Sequence, residues 1–161
     1  METTLLLKTD DIAKLTSISG NVDPNKLVPF IKLAQKTDIT RILTKPLYDK
    51  ILADFETQTL AGEYLFIYEN FVVDMLSYFS SKHFVKMAPY QITNGGVYKA
   101  TSPDIGPIDY EEVTTLVQYY ETLGNGIELM FYDYMKDNSV SEYTRNGCED
   151  NSNLGFNWYI F

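Results

Sequence analysis

The stretch from about Leu60 to Met87 constrains the fold more than any other part of the chain. Its polar residues Glu63, Asn70, Asp74, Ser77 and Ser81 fall in one narrow stripe at helical periodicity, and Leu65, Phe66, Ile67, Tyr68, Phe71, Val72, Val73, Met75, Leu76, Tyr78 and Phe79 occupy nearly everything else. A helix this apolar is buried on most sides. A chain of 161 residues offers little material to cover it, so neighbouring subunits are expected to supply the rest.

The elements around this helix have legible starts. A short helix is expected over Thr9–Leu15, with Thr9 as its cap and Asp10 and Asp11 at the positive end of the dipole. Asp23 caps a second helix with Pro24 at its first position, and this helix runs to about Leu43 on Leu27, Ile31, Ala34 and Asp38. Pro46 stops it and opens a third helix over Leu47–Phe55. After Pro89, the segments Tyr90–Ile92 and Val97–Lys99 flank Thr93-Asn94-Gly95-Gly96 and read as a short β-hairpin. The last long helix begins with a capping box, Asp109 with Glu112, and a staple of Ile108 with Val113. Val113, Val117, Tyr120, Gly124, Ile127, Phe131 and Tyr134 then form one stripe, and Gly124 within it suggests close approach of another helix.

Beyond residue 137 the chain turns polar, then ends in Leu154-Gly155-Phe156-Asn157-Trp158-Tyr159-Ile160-Phe161. Such a tail must be covered, and an extended arm docking on a partner is the favoured reading over docking on its own domain. The expected fold is therefore mainly α: a small helical bundle with two long helices, a short β-hairpin between them and an extended C-terminal arm. Residues 1–137 form the helical domain, and residues 138–161 form the polar loop and aromatic arm.

Charge and composition narrow the function. The net charge of -9 argues against a surface that grips nucleic acid or an anionic membrane. A single cysteine, Cys148, allows no internal disulfide and fits a reducing compartment. The N-terminal residues lack the pattern of a signal peptide, and no apolar run is long enough to span a bilayer, so a cytoplasmic protein is expected, at least until it assembles. Thirteen tyrosines suit surfaces that are dry on one side and wet on the other, although an A/T-rich genome would produce the same bias.

No catalytic, cofactor-binding or metal-binding residue is expected. His83 has no partner at a useful sequence spacing, and Cys148 lies beside Glu149 and Asp150, which suppress a thiolate. Gly124-Asn125-Gly126 lacks the third glycine and the preceding strand of a phosphate loop. Asp109, Glu111 and Glu112 are explained by their position at a helix N-terminus. The chain is read as a non-enzyme.

The segments "DPNKLVPFIKLAQKTDITRILTKPLYDKIL", Asp23 to Leu52, and "ITNGGVYKATSPD", Ile92 to Asp104, resemble the head-to-tail connector or head-completion adaptor proteins of tailed bacteriophages, over roughly residues 5–137. The ending "NLGFNWYIF" resembles ring proteins of crAss-like phages and related Bacteroides elements. The resemblance implies a virion protein of the neck, assembled in the host cytoplasm. It would form a homo-oligomeric ring, usually of twelve copies, below the portal protein. Its partners would be the portal and the next ring or a tail protein, and DNA would pass through without specific binding. An acidic lining would suit such a channel. The expected subunit or portal contacts are Phe66, Tyr68, Val73, Gly124, Phe156, Trp158, Tyr159 and Phe161. Two alternatives stay open: a non-enzymatic helical adaptor acting as a small oligomer outside a phage neck, and an enzyme of an unlisted type.

Overall fold

The computed structural model describes residues 4–18, 22–94, 96–99 and 109–143. Helix α1 spans Thr9–Leu15 and α2 spans Pro24–Ala34. The helix continues through a π segment, Gln35–Ile39, into α3, Thr40–Leu43. Helix α4 spans Lys45–Glu56. The long apolar stretch is α5, Gly62–Ile67, a second π segment, Tyr68–Val72, and α6, Val73–Met87. Helix α7 spans Tyr110–Asp137.

The caps follow local chemistry. The Asp23 carboxylate accepts from the Asn25 N–H at 2.9 Å, and Pro24 opens α2 where a missing N–H costs nothing. Asp109 and Glu112 complete the capping box of α7. Helix α1 differs from expectation. Its N-cap is Lys8, which makes no side-chain bond, and Thr9 is already helical.

Between α3 and α4 the chain turns at Thr44, with φ 66° and ψ 154°. Only glycine adopts this region without strain. The sharp turn lets Lys45-Pro46 start α4 at once and points Leu47, Tyr48 and Ile51 into the core.

Helix α6 is the hub, packing chiefly on α7 and α2 and also touching α1. Ile67, Phe71, Val72, Met75, Leu76 and Phe79 are all buried within the single chain. The polar stripe is not a solvent face over its whole length. Ser77 and Ser81 are completely buried, and their hydroxyls donate to the carbonyls of Val73 and Ser77 at 2.8 and 2.7 Å. Small hydroxyls that satisfy themselves on their own helix let neighbouring helices close in. The expectation that sibling subunits must shield this helix is therefore corrected, because α1, α2 and α7 cover most of it.

The N-terminal segment is pinned by Gln35, which is 1 % exposed. Its Oε1 accepts from the Leu6 N–H at 3.0 Å, and its Nε2 donates to the Thr4 carbonyl at 2.8 Å and to the Tyr48 hydroxyl oxygen at 2.9 Å. These bonds seat Leu6 and Leu7 in the core.

The expected picture of a bundle of two long helices organised around a β-hairpin is corrected. The fold is mostly helical, built from several helices. Antiparallel pairing of β1, Tyr90–Thr93, with β2, Gly96–Lys99, makes an isolated ribbon that adds no sheet layer. A two-stranded ribbon is marginal alone. The buried core among the described residues comes from the helices and from residues 6, 7, 18 and 140. The expected arm at 154–161 lies outside the described residues, and no described helix is long and apolar enough to cross a membrane.

Candidate functional site

The expected contact residues divide into three groups. Phe156, Trp158, Tyr159 and Phe161 lie outside the described residues. Tyr68, Val73 and Gly124 are committed to the subunit's own interior. The Tyr68 hydroxyl donates to the Leu6 carbonyl at 2.7 Å, and its ring meets Phe55 at 5.4 Å. Val73 packs against the core. A Cβ on Gly124 would lie 2.6 Å from Phe79 Cε1, so the close approach expected there is made by α6 of the same chain. Phe66 alone of the four described residues stays 44 % exposed, stacked on Tyr134 at 5.2 Å.

Two ionic clusters fasten α7 to the rest. In the first, Lys82 sits between Asp38 at 3.7 Å and Glu121 at 3.6 Å, and its ammonium lies over the Phe79 ring at 4.8 Å. His83 Nε2 meets Asp38 Oδ2 at 2.9 Å. Burial pushes the Asp38 carboxyl up, but the hydrogen bonds from His83 and Thr37 and the Lys82 and His83 charges outweigh it and hold it below its usual value. In the second, Arg41 donates two bonds of 2.9 Å to Glu128, which also accepts from Tyr132 at 2.7 Å. Burial, and then this bond, pushes the Tyr132 phenol up to about 12. All of these charges face one another across helices and are spent on holding the bundle together. Among the described residues no three His, Cys, Asp or Glu side chains gather as metal ligands.

The surface shows a sharper pattern. Residues 22–50 carry six cations, Lys26, Lys32, Lys36, Arg41, Lys45 and Lys50, against Asp23, Asp38 and Asp49. Helix α7 carries Glu111, Glu112, Glu121, Glu128, Asp133 and Asp137 against Lys136 alone. An acidic protein has thus concentrated positive charge in one stretch of its chain and negative charge on α7. Lys32, Lys36 and Lys45 line a groove of about 580 Å³, floored by Gln35, Thr40 and Tyr48.

Helix α7 has two faces of different kinds. The stripe Val113, Tyr120, Gly124 and Phe131 is buried, as its spacing predicts. A second series, Glu112, Leu116, Tyr119, Leu123, Gly126, Met130, Asp133 and Asp137, advances by alternating four and three residues along one flank. Leu116 is 37 %, Tyr119 56 % and Met130 59 % exposed, and among the described residues no side chain comes within 4 Å of where a Gly126 Cβ would stand. This seam has an apolar middle and acidic ends. It was readable from the heptad spacing. What hid it is that the inward stripe of α7 has the same spacing, and spacing alone does not say which stripe faces in.

Residues 39–153 match the model of a family described as "Family of unknown function (DUF6712)". No curated protein and no solved structure matches the chain.

Proposed function

The chain belongs to that family, and for this member we propose a structural role: a non-enzymatic subunit of a ring below the phage portal, joining head to tail and continuing the DNA channel. The observation that carries the reading is the outer flank of α7. Large apolar side chains in a row on a rigid helix are what an assembling subunit presents to a neighbour. The segregation of charge supports it further, since a head-to-tail ring needs two unlike faces on each copy. The resemblance of residues 5–137 to neck connectors names the setting: a virion protein whose partners are further copies, the portal and the next ring or tail protein.

Native mass measurement on the purified protein, alone and with portal, tests this. Ring-sized species, or species carried on portal, are the expected result. A monomer in both conditions defeats the reading, and a stable dimer indifferent to portal favours the small adaptor instead. Removing Phe156–Phe161 is expected to weaken portal docking at unchanged helix content, read by circular dichroism and co-sedimentation. Loss of helix content would assign that segment to the subunit's own core.

A further inference from the structure

We infer that the exposed seam of α7 is covered by the basic face of α2 from a second copy of this chain, so that each subunit offers α7 to one neighbour and α2 to the other. This rests on the ring reading proposed above and adds the pair of surfaces that would build the ring.

Three observations favour this occupant. First, the seam cannot pair well with itself. Its two ends are both acidic, Glu112 at one and Asp133 with Asp137 at the other, so a parallel or an antiparallel self-pair sets carboxylates against carboxylates. Second, the chain carries the complementary surface elsewhere. On α2 and the π segment after it, Lys26, Pro29, Leu33 and Lys36 follow one another at three, four and three residues, and all four are exposed. Leu33 is 43 % exposed, an apolar centre flanked by cations, where α7 offers an apolar centre flanked by anions. The lysine-lined groove beside this face, with Lys32 and Lys45, extends the positive field. Third, Gly126 sits in the middle of the seam with open space around it. Glycine weakens a helix interior, and at Gly124 the Phe79 ring accounts for it. At Gly126 no described residue offers such a reason, and an approaching Leu33 would.

The test is a charge swap. Lys26→Glu with Lys36→Glu reverses the α2 face, and Asp133→Lys with Asp137→Lys reverses the end of the α7 seam. Each double variant is expected to raise the concentration needed for assembly by at least tenfold at unchanged helix content. Mixing the two in equal amounts then restores assembly, because reversed α2 meets reversed α7 and unaltered α2 meets unaltered α7. Light scattering with circular dichroism reads both quantities. Gly126→Leu, which fills the notch without touching charge, is expected to weaken assembly to a similar degree while the monomer stays folded.

A mixture that stays dispersed overturns the pairing. So does an α2 reversal that assembles like the unaltered protein, and so does a Gly126→Leu protein that assembles normally. A seam covered by the chain's own residues 144–161 would leave both reversals without effect, which equally overturns it. An unaltered protein that never assembles, alone or on portal, removes the ring reading itself. Assembly of the unaltered protein with indifference to every variant removes only the pairing.

Discussion

Two glycines two residues apart on one helix have opposite meanings. Gly124→Ala would drive a methyl into the Phe79 ring, whose nearest atom stands 2.6 Å from the new Cβ. Overpacking of this kind costs about 1–3 kcal/mol, against a gain of up to about 1 kcal/mol in helix propensity, so a net loss of stability is expected. Gly126→Ala meets no described residue and is expected to stabilise the subunit by about 0.5–1 kcal/mol. Thermal melts of the pair check both signs. Thr44 is the third informative residue. Its backbone is held at φ 66°, and its hydroxyl is buried with no hydrogen-bond partner among the described residues. Relief of about 1–3 kcal/mol of strain outweighs the extra chain entropy of glycine, so Thr44→Gly is expected to raise the urea midpoint.

At the scale of elements, the Asp38 cluster gives a pH signature. The Asp38 pKa lies lower in the folded chain than its ordinary value, so its contribution is fully present above about pH 4–5 and is lost as pH falls through the folded value. Asp38→Asn is therefore expected to cost about 1 kcal/mol at neutral pH, with the difference from the unaltered protein shrinking towards zero in acid, as pH falls through the folded value. Urea titrations at the two pH values measure it. A constant gap would show that Asp38 acts through shape and not through charge.

The elements also show what a sequence does and does not reveal. Asp23-Pro24 and Asp109 with Glu112 are legible because a cap is settled within four residues. The π segments at Gln35–Ile39 and Tyr68–Val72 leave no such mark, since their one-residue widening is set by packing against other helices. Ser77 and Ser81 read as part of a polar stripe, yet they are buried because a serine can bond to its own helix and so needs no water. Gln35 was invisible as an anchor because its partners lie 29 and 31 residues away at Leu6 and Thr4, and 13 residues away at Tyr48. The packing of Tyr68 and Val73 against the subunit's own core was hidden for a related reason: amphipathic pattern measures how much apolar surface a helix has, while coverage depends on how many neighbours the fold brings to it.

For the whole molecule, segregation of charge matters more than its net value of -9. If assembly joins an acidic α7 flank to a basic α2 face, salt must oppose it. Raising ionic strength from about 0.05 to 0.5 M shortens the screening length from over 10 Å to under 5 Å. Assembly followed by light scattering is expected to weaken over that range, whereas a purely apolar contact would hold or strengthen. DNA is not expected to compete, and equal assembly with and without duplex DNA would agree with a channel that lets its cargo slip by.

The Phe79 ring lodged at Gly124 has a mechanical consequence. One helical turn to either side, α7 offers Tyr120 or Ile127 and Glu128 in place of a recess, so α7 cannot creep along α6 in steps. The two longest helices are geared at a single tooth. A pull applied along α7 would reach the opposite side of the subunit as a shove on the whole body, not as a slide between its parts.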